Sequence, residues 1–415
     1  MNLHSFYSAA NSQKPARIRR GPGAQVFELP SPKQPVAGSQ ASACSGSARF
    51  SRYIRLISPI GHVGTHATNE RSIHLNTQPF RVAIIGCGDI SGRHLQAWKL
   101  QSHRAVVTAC CDPDSARALK ALETCGNPEA VSVADYRALI NDTELDAVDL
   151  CLPHHLHAMI AIAFAEAGKH VLCEKPLALT VEQCDRMIEA ADRSGVTLMH
   201  LEPQRMSATV GAAAEMIEQG RIGRVVGIQA TFAYWQRSEL NLDWRADPAQ
   251  SGGGHLMDGG IHQIDVLRHL AGEVVAVQAM TAQYRPELGP ESEDLAVLNL
   301  RFEGGHCGQL FACHATRGRG ASPSVTVFGS EGCLSLDAYG EGNGLVYFPS
   351  SGSPESLRTD HTWNSTYERA ISHFVDVVCD GAPLIATPQD GRENVQVVLA
   401  AYESARLGRE VALRR

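Results

Sequence analysis

From residue 80 to residue 200, short apolar runs alternate with amphipathic segments. The apolar runs have few polar positions inside them, which is typical of strands that are buried on both faces of a sheet. The segments between them are predicted helices. Strands that alternate with helices favour a parallel sheet covered on both sides. The predicted strands are FRVAIIG, RAVVTACCD, LDAVDLCLP, HVLCEKP and VTLMH.

After residue 220 the predicted strands are longer, and apolar and polar residues alternate along them. This pattern, with GG and EG turns between the runs, favours a mostly antiparallel sheet with one exposed face. Helices are expected at residues 252–271, 366–380 and 389–407. The predicted fold class is an α/β domain with a doubly wound parallel sheet over residues 80–200, followed by an α+β domain with an open-faced, mostly antiparallel β-sheet over residues 201–415.

Length and composition agree with a soluble protein of two domains. A chain of 415 residues is too long for one ordinary core, and 44% hydrophobic with 20% charged residues is normal for a globular protein. No apolar run approaches the roughly 18–20 residues of a membrane-spanning helix. The twelve cysteines form no CxxC pair and mostly lie in apolar runs, which predicts a reduced, cytoplasmic protein.

The N-terminal segment, residues 1–79, differs from the rest in charge. It holds nine Lys or Arg residues against Glu28 and Glu70, a net charge of +7, whereas the remainder of the chain carries −14. Because it is rich in Ser, Gly and Pro, it is predicted to be a disordered basic extension. An organelle-targeting peptide and a start codon assigned too far upstream explain it equally well. Nucleic-acid binding is the weaker alternative, and no nucleic-acid or membrane partner is predicted.

The turn after the first predicted strand reads GCGDISG. Gly86 permits a tight turn, and Gly88 lets the backbone approach a pyrophosphate at the N-terminus of the next helix. Ser91 replaces the third glycine of a GxGxxG motif. Asp112, at the end of the second predicted strand, can bind the ribose hydroxyls of adenosine and would repel a 2′-phosphate, so NAD is predicted in preference to NADP. Arg117 nearby keeps NADP as an alternative.

A lysine and a polar stretch carry the remaining candidate chemistry. Lys175, in CEKP, lies at the carboxyl edge of the parallel sheet, where an ammonium group can hydrogen-bond a substrate hydroxyl; a solvated surface lysine is the alternative. The stretch GGGHLMDGGIHQID, residues 252–265, places His255, Asp258, His262 and Asp265 on one face if it is a helix.

These four residues alone leave three interpretations open, namely a solvated surface, a metal site and a proton-transfer pair. A straight helix spreads them over about 15 Å, so they do not converge on one ion, and no metal is predicted. Asp258 and His262 in i,i+4 contact form a sufficient pair, because imidazole accepts a proton near neutral pH.

Three stretches together resemble the glucose–fructose oxidoreductase, inositol dehydrogenase and rhizopine catabolism family. They are AIIGCGDISGRHLQAW, LPHHLHAMIAIAFAEAGKHVLCEKPLALT and DWRADPAQSGGGHLMDGGIHQIDVLRHLAG, and the resemblance covers roughly residues 80–415. It implies a Rossmann domain followed by a substrate-binding and oligomerisation domain. It also implies that Lys175 polarises the reacting oxygen and that His262 accepts the proton, while Asp258 orients the ring or binds a neighbouring hydroxyl.

The chain departs from the family pattern at three positions. Ser91 replaces a glycine, His154 stands where many members have Asn, and Met206 replaces the aromatic residue that often follows the position of Arg205. Substrate contacts are expected at Lys175, Arg205, Trp244, Arg245, Asp258 and His262, and Asp265 is expected to be structural. Cofactor contacts are expected at Gly86, Gly88, Asp89, Ile90, Asp112, Pro153, His154, His157, Glu174 and Lys175.

The predicted function is that of an NAD(P)-dependent oxidoreductase. It would transfer a hydride between the nicotinamide and a secondary hydroxyl or ketone of a sugar, sugar derivative or cyclitol. Its predicted partners are this small molecule and further copies of the chain, in a dimer or tetramer. The alternatives are an NAD-using glycoside hydrolase of the same family and a non-catalytic dinucleotide-binding regulator, which would not need the set Lys175, Asp258 and His262.

Overall fold

The computed structural model describes residues 79–235, 244–289, 292–317, 324–337, 344–357 and 362–413. The predicted N-terminal extension therefore lies, except for its last residue, outside the described residues. No helix in the described part of the chain is both long enough and apolar enough to cross a membrane.

The first sheet has six parallel strands, β1 (Phe80–Ile85), β2 (Ala105–Cys111), β3 (Val131–Val133), β4 (Ala147–Leu150), β5 (His170–Cys173) and β6 (Leu198–His200). Their order, β3-β2-β1-β4-β5-β6, is that of the Rossmann fold, which confirms the predicted parallel domain. The sequence pattern missed β3 because it has only three residues, all exposed or half-buried. The intervening helices are α1 (Ser91–Leu100), α2 (Ser115–Cys125), α3 (Arg137–Ile140), α4 (His157–Glu166) and α5 (Val181–Ser194).

The second sheet has nine strands, β7 (Val225–Ala233), β8 (Val274–Ala282), β9 (Leu295–Phe302), β10 (Cys307–Cys313), β11 (Ser324–Gly329), β12 (Gly332–Asp337), β13 (Leu345–Pro349), β14 (Glu355–Leu357) and β15 (Val411–Ala412). Their order is β14-β13-β12-β11-β7-β10-β9-β8-β15, and among the described strands of this second sheet only β7 and β10 pair in parallel. One face packs against α6 (Ala208–Glu218), α8 (Ile261–Ala271) and α10 (Pro388–Leu407). Met280, Phe328 and Phe348 are exposed on the other face, which confirms the predicted open-faced sheet.

Two helices near the C-terminal end of the chain pack against the first domain. α9 (Trp363–Asp380) packs against α1, and Phe374 contacts Trp98 edge-on with ring centroids 6.2 Å apart. Arg104, just before β2, forms ion pairs with Asp376 and Asp380 of α9. α10 packs against α5 and β6 as well as β8. The apolar core around β1 therefore includes residues from the end of the chain.

Both late helices begin and end with strong local signals. Thr362 and Ser365 form a capping box at the start of α9, and Thr387 and Asp390 form one at the start of α10. Each helix ends at a glycine in the left-handed conformation, which has no Cβ to oppose it. These caps explain why the sequence predicts both helices within a few residues of their observed bounds.

The predicted helix over residues 252–271 is divided in the structure. Residues 252–254 are bent, Leu256–Gly260 form a π-helical turn, and α8 begins at Ile261. The short helix α7 (Pro248–Ser251) precedes the bend. Because a π turn has more residues than an α-helical turn, residues on either side of it lose their α-helical phase. The predicted single polar stripe does not form.

Candidate active site

One cavity of about 1540 Å³ lies at the carboxyl ends of the parallel strands. The segments that follow β1, β2, β4 and β5 line one side, and Tyr234, Asp258, His262 and Trp363 line the other. Ligands of open α/β sheets bind at this edge. The volume exceeds the roughly 300–1,000 Å³ of a site for one drug-sized ligand, as expected where a cofactor and a substrate bind together.

The glycine turn between β1 and α1 exposes its backbone to the cavity. Gly86 has a φ of +92°, and a Cβ there would collide with the carbonyl group of Cys151, so only glycine fits. In the described part of the chain, no atom beyond Gly88 and its two neighbours lies within 4 Å of the place where a Cβ of Gly88 would stand, which leaves room for a phosphate beside α1. Ser91 donates its hydroxyl to the carbonyl oxygen of Gly88 at 2.6 Å and closes the turn.

Asp112 fixes a negative charge beside this turn. Its carboxylate accepts hydrogen bonds from the backbone N–H groups of Cys87 and Asp114, each at 2.9 Å, and it lines the cavity. In this fold an acid at the end of β2 binds the adenosine ribose and disfavours a 2′-phosphate. Arg117 lines the same end of the cavity. The turn and the acid together fit a dinucleotide of the NAD type.

Glu174 is held by a buried imidazolium. The Nδ1 atom of His94 lies 2.8 Å from Asp149 Oδ2, and its Nε2 atom lies 3.1 Å from Glu174 Oε1, so both nitrogens donate only if the ring is charged. Burial lowers the pKa of His94, but the Asp149 carboxylate raises it well above its ordinary value. Burial raises the pKa of Glu174, whereas the hydrogen bond from His94 brings it down to about 2. Glu174 Oε2 then accepts the backbone N–H of Lys175 at 2.9 Å.

Lys175 and Asp258 meet at the cavity wall. Lys175 Nζ lies 3.0 Å from Asp258 Oδ1 and also donates to the backbone oxygen of Asp258. Arg245 Nε donates to Asp258 Oδ2 at 3.2 Å, and His154 Nε2 lies 3.6 Å from Oδ1. Burial raises the pKa of Asp258, but the charges of Lys175 and Arg245 hold it well below its usual range. The carboxylate is therefore ionised at neutral pH and fixes the ammonium group.

Aromatic and cationic groups surround this pair. The indole of Trp244 lies edge-on to His154, with ring centroids 4.5 Å apart, and the Arg245 guanidinium carbon lies 4.2 Å from the indole centroid. His154 Nδ1 is 2.8 Å from the carbonyl oxygen of Ser251. The predicted substrate residues Trp244 and Arg245 thus line the cavity beside Asp258, and His154, predicted as a cofactor contact, lies with them.

His262 has one ring edge in the cavity wall and the other against a buried carboxylate. Its Nδ1 atom lies 2.7 Å from Oε1 of Glu202, which is fully buried just beyond β6. Because a carboxylate only accepts, a neutral ring carries its proton on Nδ1, and Nε2 is left as an acceptor on the cavity side. Trp363 lies edge-on to the ring with centroids 5.8 Å apart.

His157 and Arg205, predicted as a cofactor contact and a substrate contact, are not among the described residues that line the cavity. His157 is fully buried, with its ring nitrogens 2.8 and 2.9 Å from two backbone carbonyl oxygens in the segments after β4 and β5. These contacts link the segment after β4 to the segment after β5. Arg205 is buried in ion pairs with Asp265 at 2.6 Å and Asp390 at 2.8 Å. Its charge is therefore compensated by carboxylates within the protein.

The polar residues of 252–265 enter separate environments. His255 is fully buried, and its ring centroid lies 4.3 Å from that of His314 and 5.4 Å from that of Phe232. Asp258 and His262 both line the cavity, but each is hydrogen-bonded to a residue outside this segment. The predicted mutual contact of Asp258 and His262 is replaced by these partners, because the π turn separates the two residues from an α-helical register.

Among the residues of the cavity and its surroundings that sequence reasoning missed are Glu202, Tyr234, Trp363 and Tyr367. Glu202 follows β6 at the same sheet edge as Lys175, and this position is a signal that the sequence does contain. Tyr234 follows β7, and Trp363 and Tyr367 lie on α9. No local pattern connects the α9 residues with the site, because only the packing of α9 against α1 brings them to it.

A Rossmann sheet with an open glycine turn, next to Lys175, Asp258 and His262 in one cavity, defines a dinucleotide-binding oxidoreductase. Comparison with known proteins supports the same class of protein. Residues 80–201 match the model of the oxidoreductase family Gfo/Idh/MocA, NAD-binding Rossmann fold, and residues 214–413 match its C-terminal alpha/beta domain. The protein therefore belongs to the Gfo/Idh/MocA family, as its motifs predict.

The chain is similar to sugar and cyclitol dehydrogenases. It is 34% identical to levoglucosan dehydrogenase of Pseudarthrobacter phenanthrenivorans over 49% of this chain and 58% of that protein. It is 28% identical to myo-inositol 2-dehydrogenase of Thermotoga maritima over 80% of this chain and 98% of that protein. A solved structure of levoglucosan dehydrogenase in complex with NADH and levoglucosan has a TM-score of 0.75 and 26% identity, over 81% of this chain and 100% of that chain. The sequence match thus spans a little over half of the first relative.

Proposed function

We propose that this protein is an NAD-dependent oxidoreductase that transfers a hydride between the nicotinamide and a secondary hydroxyl or ketone of a sugar, sugar derivative or cyclitol. The observation that carries the proposal is that Lys175, Asp258 and His262 line the same cavity as the open glycine turn. The similarity to levoglucosan and myo-inositol dehydrogenases supports this substrate class.

The cofactor would lie between the glycine turn and Lys175. Gly86 and Gly88 would receive the pyrophosphate and Asp112 the adenosine ribose. Asp89, Ile90 and Pro153 line the same cavity and would also contact the cofactor. When bound, NAD supplies the ring carbon that accepts or returns the hydride. Asp112 favours NAD, and Arg117 is the residue through which NADP would be tolerated.

The residues of the cavity wall would handle the proton. When a hydroxyl is oxidised, its proton leaves as the hydride leaves the adjacent carbon. The Lys175 ammonium, fixed by Asp258, would donate to the reacting oxygen and stabilise the negative charge that develops there. Nε2 of His262 would accept the proton, and ketone reduction would reverse both transfers. Arg245 and Trp244 would bind the neighbouring hydroxyls and the apolar ring face.

The protein is also expected to assemble into a dimer or tetramer. The exposed face of the second sheet carries Met280, Phe328 and Phe348 at 69%, 41% and 43% exposure, and apolar side chains of this size support a contact surface. Sedimentation of the purified chain measures the assembly. A monomer at micromolar concentration would contradict this part of the proposal.

The reaction is tested with purified protein, NAD or NADP, and a panel of sugars, anhydrosugars and cyclitols. Growth of the reduced-nicotinamide absorbance is the expected result. Lys175→Met and His262→Ala should each lower kcat by about 10²–10⁴-fold with NADH binding retained, whereas Lys99→Met, at an exposed helix position, should not. Undiminished turnover in both variants would contradict the mechanism. Release of an aglycone without net NADH would favour the hydrolase, and NADH binding without any turnover would favour the regulator.

A further inference from the structure

We propose that Glu202 is a positioning residue for proton transfer, which fixes the tautomer and orientation of His262 and keeps Nε2 of that ring free to accept a proton from the cavity. The inference rests on the proposed function, in which His262 is the proton acceptor. It adds a residue that follows β6 to a site whose other members lie after β5 and around the π turn.

The carboxylate of Glu202 has few partners. Oε1 lies 2.7 Å from His262 Nδ1 and accepts the backbone N–H of Gln204 at 3.2 Å. Oε2 is buried and accepts no hydrogen bond from the described residues. Within the described part of the chain, His262 is therefore the only side chain hydrogen-bonded to this fully buried carboxylate. A buried negative charge with one such partner makes that hydrogen bond short and strong.

This contact determines what His262 can do. A carboxylate has no proton to donate, so the neutral ring must carry its proton on Nδ1, which leaves the lone pair on Nε2. When Nε2 takes a proton, the ring becomes a cation beside the Glu202 carboxylate, and the two charges attract. Trp363, edge-on to the ring, and the hydrogen bond to Glu202 together hold the ring plane.

Glu202 also caps the short turn Pro203–Met206 by accepting the N–H of Gln204, which is a purely structural alternative. Two variants separate these roles. Glu202→Gln keeps an acceptor oxygen for the N–H of Gln204 but removes the charge that stabilises protonated His262. Glu202→Leu removes the acceptor for His262 as well, so the ring is free to turn or to carry its proton on Nε2.

The first readout is kinetic. Glu202→Gln should lower kcat for alcohol oxidation by about tenfold to 10²-fold and Glu202→Leu by about 10²–10⁴-fold, with little change in KM. The pH profile of kcat should differ between Glu202→Gln and the wild type, because the charged partner of the proton acceptor has been removed. The other ionisable groups around the ring, Glu174, Lys175, His255 and Asp258, are unchanged in this variant. Asp114→Asn, which neutralises a helix-capping carboxylate elsewhere, should leave the profile in place.

Non-additivity is the second readout. In a His262→Ala background, Glu202→Gln should have no further effect on kcat, because there is no ring left to position. A full additional loss in the double variant would mean that Glu202 acts through the fold, and it would overturn the inference. The urea midpoint and the affinity for NADH, measured on all variants, show whether the fold and the cofactor site are intact.

The third readout needs no turnover. Nitrogen-15 NMR of labelled imidazole rings reports which nitrogen of His262 carries the proton, with His262→Ala assigning the signal. The expected result is an Nδ1–H tautomer in the wild type and its loss in Glu202→Leu. An Nε2–H tautomer in the wild type, or wild-type kcat and pH profile in Glu202→Leu, would overturn the role of Glu202 while the proposed function stands. Full turnover in His262→Ala would instead remove the proposed proton acceptor.

Discussion

Replacing Arg205 by methionine is expected to destabilise the fold while it leaves the affinities for cofactor and substrate nearly unchanged. The guanidinium group donates to Asp265 from Nε at 2.8 Å and from a terminal nitrogen at 2.6 Å, and it lies 2.8 Å from an oxygen of Asp390. Its side chain is 5% exposed. These ion pairs join the turn after β6 to α8 and α10.

The magnitude follows from the burial of these charges. Two unit charges about 3 Å apart attract by about 5 kcal/mol at an effective dielectric constant of about 20, and desolvation offsets much of this. Removal of one member leaves a buried, uncompensated carboxylate, which typically costs about 3–5 kcal/mol. Because Met retains most of the side-chain volume of Arg205, the loss would reflect charge more than an empty cavity.

The loss should depend on pH in a defined direction. Burial raises the pKa of Asp265, but the charge of Arg205 brings it below its ordinary value, and the pKa of Asp390 is lowered in the same way. Stability from a carboxyl with a depressed pKa is present above its unfolded value of about 3.9 and is lost as the pH falls through the folded value. The deficit of Arg205→Met should therefore be largest near neutral pH and should narrow below about pH 4.

Urea unfolding of wild type and variant, followed by tryptophan fluorescence at several pH values, measures this difference from the shift in midpoint. Arg205→Met combined with Asp265→Asn should recover part of the stability, because it neutralises the carboxylate that was left alone. The affinity for NADH and KM for the best substrate of the panel provide the comparison. An unchanged midpoint together with a raised KM would show that Arg205 contacts the substrate, and the structural interpretation would be wrong.

Three further changes test the cofactor end of the cavity and its support. The stability that His94 contributes is present below its unfolded pKa of about 6.5 and is lost as the pH rises through its raised folded pKa. His94→Gln should therefore flatten the decline of the urea midpoint above about pH 6.5. An unaltered decline would contradict this. Gly88→Ala should weaken NADH binding by about tenfold or more, measured by fluorescence titration, with an unchanged urea midpoint, because its Cβ would enter the phosphate space without meeting an atom of the described residues beyond its own neighbours. Asp112→Ser should weaken NAD binding by about 10–100-fold and bring the Kd values of NAD and NADP closer together; an unchanged ratio would mean that another residue determines the preference.

The fold could be predicted well because its signals are local. Buried parallel strands appear as continuous apolar runs, and helices such as α9 and α10 carry their own capping residues. The missed strands β3, β14 and β15 have two or three residues that are exposed or half-buried, so they have no apolar run to detect. The missed strand β13 has buried positions but only five residues. The packing of α9 against α1 could not be predicted, because the residues that meet are distant in sequence and no periodicity links Phe374 with Trp98.

The cavity residues were predicted where a motif fixes them to the carboxyl edge of the sheet, as with Gly86, Asp112 and Lys175. Their hydrogen-bond partners were not predictable in the same way. A sequence pattern gives the spacing of residues within one element, whereas the partners of Asp258 and His262 come from other elements. The π turn also changes the direction of the side chains that follow it, and an α-helical projection does not include this change. Nothing in the pattern of apolar residues marks the π turn.

His94 and His262 show how hydrogen-bond partners from other elements determine the chemistry of a residue. Both histidines lie on helices at the cavity side of the first sheet's edge, and both are hydrogen-bonded to buried carboxylates. His94 has a carboxylate on each nitrogen, so its ring is fixed as a cation and supports Glu174. Among the described residues, His262 has a carboxylate on Nδ1 alone, and its ring lines the cavity. The number of carboxylates around an imidazole therefore separates a structural cation from a group that can accept a proton and release it again.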